Sequence, residues 1–402
     1  MASPVLIIGA GLGGICLAQA LKKNSIPFKL FEQDERSNFR AQGYRLRITQ
    51  HGIDALKEAL TPALFTLFEK TCAEIPSMGV RCKPDGTCNS SPGAFGPPPG
   101  FQSKSYTVDR STFREAFLAD LEGDVFFGKS FEHYTIHEDK VTASFADGTT
   151  EDGSLLVGAD GVRSRVRKQY LPESQGLDTG TRIIFGKTPS TPDLLSKLPV
   201  EYHHGMSLVT DPDDASQPCV LFESINFPYE AEVTKLRLPA PYMYWVLCTQ
   251  RSQLPSSLEK GWHVSSQESA DLSIQLTKSW SPSLRAIFEM QDASQTAMRS
   301  LLSAMPELAP WEPSNRVTLL GDSIHAMPPT GAMGANTALR DAADLARRVV
   351  EAGGIAKVDQ GVIGVYEVDL RDFARMAIDQ SWKGGMKSFG LKPVEECERI
   401  LL

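Results

Sequence analysis

The feature that most constrains the fold is a glycine-rich segment at residues 9–14, Gly-Ala-Gly-Leu-Gly-Gly. It fits the GxGxxG pattern and lies between the apolar run at 5–8 and a segment of helix formers at 15–23. A second short apolar segment follows at 27–31. A strand, a tight glycine turn, a helix and a second strand form one βαβ unit, which binds the pyrophosphate of a dinucleotide at the start of its helix.

The second strand of this unit ends at an acidic residue, Glu32. An acid about 20 residues after the glycines hydrogen-bonds a ribose hydroxyl of the bound adenosine. Because Glu32 is not basic, the pattern favours an adenosine without a 2′-phosphate, and so FAD or NAD rather than NADP. The glycine segment alone does not choose between FAD and NAD.

The composition narrows the classes of function. The 402-residue chain carries a net charge of −8, which argues against a nucleic-acid partner, because phosphate binding needs a concentrated basic surface. No run reaches the roughly 18–20 apolar residues that span a bilayer, so we expect no membrane partner. The seven cysteines show no paired CxxC pattern and predict a reducing, cytoplasmic location rather than a disulfide framework. Cys82 and Cys88 flank a Pro-Asp-Gly turn and could lie close in space.

The rest of the chain predicts a β-rich insertion into the nucleotide-binding sheet. Prolines at 76–105 predict a hairpin followed by an irregular loop. Periodicity predicts a helix at 107–121 after a short strand, antiparallel strands within 130–157, an amphipathic helix at 271–291, a buried strand at 317–320 and a helix at 335–352. The chain therefore leaves the nucleotide-binding sheet and returns to it near residue 315.

Two further motifs favour FAD over NAD. Residues 158–161 read Gly-Ala-Asp-Gly after a predicted strand, and residues 321–336 read GDSIHAMPPTGAMGAN between a strand and a helix. Together with GxGxxG, and in this order and spacing, they resemble the class A flavoprotein monooxygenases with the p-hydroxybenzoate hydroxylase fold. The YEVDLR segment at 366–371 resembles the C-terminal helical motif of that family.

The resemblance implies an α/β fold. Its Rossmann-like FAD-binding domain carries an inserted β-sheet substrate domain and C-terminal helices. Residues 1–75, 106–175 and 312–402 are expected to form the discontinuous FAD-binding domain with the C-terminal helices. Residues 76–105 and 176–311 are expected to form the β-rich substrate domain.

The resemblance also implies a set of cofactor contacts. The ADP half of FAD is expected near the glycine turn and the end of the second strand, and the flavin near the later motifs. These residues are Gly9, Gly11, Leu12, Gly14, Glu32, Gln33, Arg40, Arg47, Arg110, Asp160, Gly161, Asp322, Pro329, Gly334, Ala335 and Asn336. Arg40 and Arg47 lie in the segment that passes the flavin edge, where the family directs one residue toward NAD(P)H and another toward FAD.

The resemblance implies the chemistry as well. NADPH or NADH reduces FAD, O₂ adds to give a C4a-(hydro)peroxyflavin, and one oxygen atom enters a small aromatic or polycyclic substrate by hydroxylation, epoxidation or a related oxidation, as in secondary-metabolite biosynthesis. The cofactor supplies this reactivity, so no obligate catalytic side chain and no metal site are expected. A monomer or a homodimer is expected.

Several side chains are candidates for substrate contact. Strand residues 242–245 alternate, so one set, which includes Tyr244, is expected to face the flavin. Arg182, His203 and His204 are polar candidates for holding a phenol, carbonyl or carboxylate, and His325 is a candidate general base. Adjacent strand residues point to opposite faces, so His203 and His204 do not form a metal site.

Alternative functions remain open at this point. A flavoprotein dehydrogenase or reductase on the same fold predicts no oxygen incorporation. A flavin halogenase usually carries a Trp-x-Trp-x-Ile-Pro segment, which this sequence lacks. A non-catalytic FAD-binding protein is a further alternative.

Overall fold

The structure is a computed structural model. It describes residues 3–35, 45–74, 79–89, 104–203, 205–211, 213–214, 217–229, 236, 238–256, 258 and 264–402. Arg40 and His204, two of the candidates from the sequence, lie outside these ranges.

The strands are, in chain order, β1 Val5–Ile8, β2 Phe28–Phe31, β3 Arg45–Ile48, β4 Arg81–Cys82, β5 Cys88–Asn89, β6 Tyr106–Asp109, β7 Val125–Phe126, β8 Phe131–Ile136, β9 Val141–Phe145, β10 Thr150–Gly153, β11 Leu155–Gly158, β12 Gln175–Pro189, β13 Met206–Val209, β14 Cys219–Ile225, β15 Tyr242–Gln250, β16 Ala297–Ala304, β17 Val317–Leu319 and β18 Glu398–Leu401. The helices are α1 Leu12–Lys23, α2 Gln50–Ala59, α3 Pro62–Lys70, α4 Arg110–Leu118, α5 Arg165–Tyr170, α6 Pro192–Lys197, α7 Ser266–Leu276, α8 Pro282–Glu289, α9 Asp322–His325, α10 Met333–Glu351 and α11 Gln360–Phe389.

A five-stranded parallel sheet carries the glycine turn. Its order is β17-β11-β1-β2-β7, with every pairing parallel. Strands β1 and β11 are buried along their whole length, as expected for continuous apolar runs with both faces covered. Because β17 pairs with β11, residues 317–319 lie beside residues 156–158 although about 160 positions separate them in the chain.

A mixed eight-stranded sheet, called the large sheet below, holds most of the segment between β11 and β17. Its path is β16-β12-β15-β14-β13-β4-β5, and β18 adds to β12. One face packs against α7 and α8 in an apolar cluster that includes Met243 and Trp245. The other face carries a separate cluster that includes Tyr242 and Tyr244. The predicted alternation of residues 242–245 is therefore confirmed.

A two-stranded antiparallel ribbon, β3 paired with β6, lies outside both sheets. Strand β6 leads directly into α4, whose first turn is capped by Asp109. The predicted helix at 107–121 was therefore placed too early. Residues 107–109 are strand because Asp109 accepts the N–H groups of Ser111 and Thr112, which fixes the helix start at Arg110.

One other prediction from the sequence is corrected by the structure, and one strand was missed. The single helix predicted at 271–291 is two helices, α7 and α8, because Pro282 has no N–H to continue the first helix and instead occupies the first turn of the second. The C-terminal strand β18 joins the large sheet and was not predicted at all.

The cysteine prediction is also corrected in part. Cys82 and Cys88, the last residue of β4 and the first of β5, form a disulfide across the hairpin. The proximity suggested by the sequence is confirmed, but the expectation of unpaired cysteines is wrong for these two. None of the helices within the described ranges combines the length and apolar character that crossing a bilayer requires.

Candidate cofactor cleft

The glycine turn packs so closely that only glycine fits at its critical positions. Gly9 has a φ of +105°, and a Cβ added there would lie 2.4 Å from the carbonyl oxygen of Ala159. A Cβ on Gly14 would lie 2.1 Å from the oxygen of Gly9, and one on Gly13 would lie 2.7 Å from a methyl carbon of Leu320. The three separate motifs, at 9–14, 158–161 and 321–336, thus meet at one place in the fold.

Glu32 holds this turn from the end of β2. Its Oε2 atom accepts the N–H of Ala10 and an N–H of Arg114, each at 3.0 Å. Its Oε1 atom accepts the N–H of Asp34 at 3.0 Å, and Arg114 Nε donates to the Ala10 carbonyl at 2.9 Å. Sequence reasoning missed Arg114, although its position one helical turn after Arg110 on α4 was an available signal. Next to Glu32, the side chain of Gln33 is exposed.

Two helix starts lie at the cleft without a side-chain cap. Helix α1 begins at Leu12 after Gly11, and helix α10 begins at Met333 after Ala332, which has a φ of +56°. Neither helix has a side-chain hydrogen bond to its first N–H groups within the described part of the chain. Such N–H groups bind anionic groups, because the positive end of the helix dipole adds to their donor character.

The start of α10 is connected to the β3–β6 ribbon by Asn336. The side chain of Asn336 donates to the Arg47 carbonyl and accepts the N–H of Thr49, both at 2.9 Å. Gly334 and Ala335 are half-buried at the same helix start. The preceding proline segment is buried at Pro328 and exposed at Pro329.

Asp322 presents a carboxylate to the cleft. It follows Gly321, whose φ of +62° turns the chain sharply at the end of β17. The Asp322 side chain is exposed, yet the surrounding protein desolvates it enough to raise its pKa, and the charges of His325 and Arg110 oppose that shift. Arg110 therefore lies within electrostatic range of Asp322, as two residues facing one cleft would. Because the Asp322 side chain is exposed, a ligand that enters this cleft can reach its carboxylate.

His325 forms a buried ion pair. Its Nε2 atom lies 2.6 Å from Oδ2 of Asp341, and both side chains are 0% exposed. The same Oδ2 atom accepts the N–H of Gly321 at 3.0 Å. Because His325 has no access to solvent, its position supports a role in holding the turn before Asp322 rather than in proton transfer to a substrate.

Asp160 and Gly161 form a turn at the end of β11. Gly161 has a φ of +79°, and Asp160 Oδ2 accepts the N–H groups of Arg165 and Val166 at 2.8 and 3.3 Å. Asp160 therefore caps the start of α5. Its Oδ1 atom is buried and has no hydrogen-bond partner among the described residues.

Arg47 reaches away from the glycine turn and toward the large sheet. Its Nη2 atom lies 3.0 Å from Oε1 of Glu223 on β14, a fully buried carboxylate that Arg45 also contacts. Burial, followed by repulsion from Arg45, lowers the pKa of Arg47 to about 10. The predicted flavin contact of Arg47 thus has a competing partner that the sequence did not reveal.

The predicted substrate-contacting residues separate into two groups. Tyr244 lies on the face of the large sheet that carries the cluster with Tyr242. Arg182 is buried and binds both carboxylate oxygens of Asp178, at 2.9 and 3.0 Å. His203 Nε2 lies 3.0 Å from the Leu195 carbonyl. Arg182 and His203 therefore have structural partners of their own, and Tyr244 belongs to the mostly apolar cluster on its face of the large sheet.

Comparison with known proteins agrees with this architecture. Residues 285–381 match the family model of an FAD binding domain. The chain is 38% identical to the dual O-methyltransferase/FAD-dependent monooxygenase elcB of Phaeosphaeria nodorum, over 98% of this chain and 47% of that protein. It is 27% identical to the FAD-dependent monooxygenase thnD of Trichoderma harzianum, over 85% of this chain and 82% of that protein.

A crystal structure of an FAD-containing monooxygenase from Photorhabdus luminescens superimposes with a TM-score of 0.79 at 28% identity, covering 96% of this chain and 99% of that chain. The chain spans about half the length of the dual-function relatives it matches. The motifs, the fold and these similarities agree with one another. They confirm the predicted resemblance to the class A flavoprotein monooxygenases and the predicted α/β fold of the p-hydroxybenzoate hydroxylase type.

Proposed function

We propose that this chain is an FAD-dependent monooxygenase. It would use NADH or NADPH and molecular oxygen to insert one oxygen atom into a small aromatic or polycyclic substrate. The observation that carries the proposal is the meeting of three sequence-distant motifs at one cleft, around the glycine turn. FAD, when bound, supplies the redox and oxygen-transfer chemistry, and the chain supplies binding, orientation and exclusion of water.

The residues at the cleft fit FAD. The glycine turn lies next to the uncapped start of α1, where a pyrophosphate would bind. Glu32 would hold the adenosine ribose, with Arg114 fixing its carboxylate. Asp322 would bind hydroxyl groups of the ribityl chain, since an exposed carboxylate is a strong acceptor for a polyol.

The start of α10 would stabilise the flavin itself. Its uncapped N–H groups, at Gly334 and Ala335, would face the pyrimidine end of the ring, where reduced flavin carries negative charge. The Tyr244 face of the large sheet would form the substrate wall, because its cluster is mostly apolar. Roles for Arg110, Asp160, Gly161 and Pro329 near the cofactor stay predictions.

The experiment that tests the proposal follows the oxygen atom. The purified chain is expected to be yellow or to take up FAD on reconstitution. With ¹⁸O₂, NAD(P)H and a panel of phenolic compounds, mass spectrometry is expected to find one labelled oxygen atom in a product. If the label is found only in peroxide or water, the reductase alternative is favoured. A colourless protein that does not bind FAD would exclude both the monooxygenase and the reductase.

The dual-function relatives support a narrower substrate class. Their names join an O-methyltransferase to an FAD-dependent monooxygenase. Hydroxylation of an aromatic ring creates a hydroxyl group and O-methylation consumes one, so the two reactions fit one phenolic scaffold. We infer that this chain acts on a phenolic aromatic compound that an O-methyltransferase also modifies, in secondary-metabolite biosynthesis.

The methyltransferase half of the Phaeosphaeria nodorum relative provides the test. Incubated with S-adenosylmethionine and each substrate or product identified above, it is expected to methylate at least one of them. Failure to methylate any of them would contradict the shared scaffold. The cytoplasmic location, the monomeric or homodimeric state and the division into an FAD-binding and a substrate domain stay predictions from the sequence.

A further inference from the structure

Two buried carboxylates lie where the β3–β6 ribbon meets the large sheet. Glu223 on β14 contacts Arg45 and Arg47 of β3. Asp109 at the end of β6 contacts Lys187 of β12, with Nζ to Oδ2 at 2.6 Å. Both carboxylate side chains are 0% exposed. We call these five residues the junction cluster.

The strand registers place the cluster on two facing surfaces. On the large sheet, Lys187 is paired with Tyr244, and Tyr244 with Glu223, so the three side chains share one face. On the ribbon, Arg45 is paired with Asp109, so they also share a face. The ion pairs of Glu223 with Arg45 and of Asp109 with Lys187 join these two faces. Electrostatic influence extends across the cluster, because both Asp109 and Glu223 help to raise the pKa of Tyr242, after burial.

The charges of the junction cluster do not balance. Three cations, Arg45, Arg47 and Lys187, share two carboxylates, which leaves one positive charge in excess. The cationic side chains keep 13%, 18% and 14% of their surface exposed, whereas the carboxylates keep none. A ligand can therefore reach the three cationic side chains of the cluster but not its carboxylates. An uncompensated positive charge in a half-buried cluster costs free energy unless a bound anion neutralises it.

Two further observations point to a missing anion. The pKa of Arg47 is lowered to about 10, by burial first and by Arg45 second, so the existing carboxylate does not fully compensate the guanidinium. Thr107, which is paired with Arg47 on the ribbon, is fully buried, and its hydroxyl has no hydrogen-bond partner among the described residues. The hydroxyl can donate to the same anion.

We propose that the junction cluster binds an anionic oxygen of the substrate, an ionised phenol, enol or carboxylate, through Arg45, Arg47 and Lys187. This inference rests on the proposed function, because it assigns a substrate class to that site. The aromatic part of the substrate would lie on the apolar wall beside Tyr244. An ionised phenol is more electron-rich than a neutral one, so binding it favours attack on an electrophilic oxygen.

A purely structural role, in which salt bridges only hold the ribbon against the large sheet, explains the composition of the junction cluster less well. A structural role needs one cation for each buried carboxylate. Asp109 already has Lys187 and the Tyr242 hydroxyl as partners, at 2.6 and 2.7 Å. Glu223 has two arginines, one more than neutrality requires. A substrate anion accounts for the second arginine and for the partial exposure of all three cations.

A matched pair of ligands tests the proposal by binding rather than by turnover. The probes are 2-naphthoate and its neutral analogue 2-naphthamide, titrated into the purified chain with and without FAD by calorimetry. Wild type is expected to bind naphthoate at least tenfold more tightly than naphthamide, because a hydrogen bond to a charged group contributes that much. Lys187→Met and Arg47→Met are each expected to lower this ratio about tenfold, whereas Arg47→Lys keeps most of it.

The control is Lys129→Met, which removes a lysine paired with Asp147 at 2.6 Å, both in the region of the three-stranded β8–β9–β10 sheet. It is expected to leave the ratio unchanged. A wild-type ratio near one, or a ratio unchanged in Lys187→Met and Arg47→Met, would overturn the proposal. If the methionine variants do not fold, Lys187→Gln and Arg47→Gln, which keep a hydrogen-bond donor beside each buried carboxylate, decide it: they are expected to lower the ratio, and an unchanged ratio would overturn the proposal.

Two further measurements distinguish a substrate anion from a phosphate of the cofactor. If ADP displaces naphthoate and the Arg47 variants bind ADP more weakly, the cluster serves a dinucleotide phosphate and the substrate assignment is wrong. FAD uptake is measured in parallel on every sample. Loss of FAD binding in wild type would refute the proposed function, whereas an anion preference with intact FAD binding supports the junction cluster separately.

Discussion

Replacing Asp341 with asparagine tests how the cofactor cleft is held in shape. Asp341 is buried, pairs with His325 at 2.6 Å and accepts the N–H of Gly321 at 3.0 Å. Asparagine keeps an acceptor for Gly321 and removes only the charge. Breaking a buried ion pair by removing one partner costs about 3–5 kcal/mol, because the remaining group must either keep a desolvated charge or give up its proton on folding. We expect Asp341→Asn to lower the free energy of unfolding by that amount near pH 6.

The cost should depend on pH in a defined direction. Burial alone lowers the pKa of His325, but the charge and hydrogen bond of Asp341, helped by Asp322, outweigh it and raise the pKa. A raised folded pKa contributes stability that is complete below the unfolded value of about 6.5 and is lost as pH rises through the folded value. In Asp341→Asn burial dominates, so His325 becomes neutral in the folded state. The difference between wild type and variant should therefore be largest near pH 6 and shrink toward pH 9.

Urea unfolding followed by circular dichroism at pH 6, 7, 8 and 9 measures this difference. The matched control is Asp379→Asn, which breaks an exposed pair with Lys383 on α11 and should cost no more than about 1 kcal/mol at any of these pH values. If Asp341→Asn costs no more than the control, or its cost does not change with pH, the buried charged pair is not present as described.

Three further substitutions test the cleft. Gly9→Ala places a Cβ 2.4 Å from the Ala159 oxygen at a φ of +105°, so we expect a loss of about 2 kcal/mol or more in urea unfolding, together with lost FAD binding. Arg114→Met leaves the buried Glu32 carboxylate without its cation, and we expect about 3–5 kcal/mol of destabilisation in the same assay and weaker FAD binding by fluorescence quenching. Asp322→Ala removes a carboxylate that the protein desolvates, so the flavin-free protein should be no less stable at pH 7 while its affinity for FAD falls.

The sequence predicted the parts of the cleft that depend on local backbone geometry. A turn that needs a positive φ, such as the one at Gly9, limits the residue type in a way that a motif records directly. The strand and helix around that turn were predicted for the same reason, since their apolar pattern is local. Residues whose type is limited by the local backbone conformation were therefore predicted correctly. Their contacts with a cofactor remain predictions.

The partners of these residues were harder to predict. Glu32 was expected to face a ribose, but its contact with Arg114, 82 positions later in the chain, was not predicted, since helical spacing from Arg110 was the one local signal for it. Arg47 and Glu223 are 176 positions apart and meet only because the ribbon packs on the large sheet. A charged residue on a strand is usually exposed, so its burial against a distant opposite charge has no local signal.

The ribbon strand β3 connects the two halves of the proposed site. From one side, Asn336 at the start of α10 holds the backbone at Arg47 and Thr49. From the other side, the buried carboxylate of Glu223 holds the arginine side chains of the same strand. A shift of β3 would therefore move the backbone next to the proposed flavin position and the cations next to the proposed substrate anion together. If both proposals hold, one four-residue strand sets the geometry of cofactor binding and that of substrate binding together.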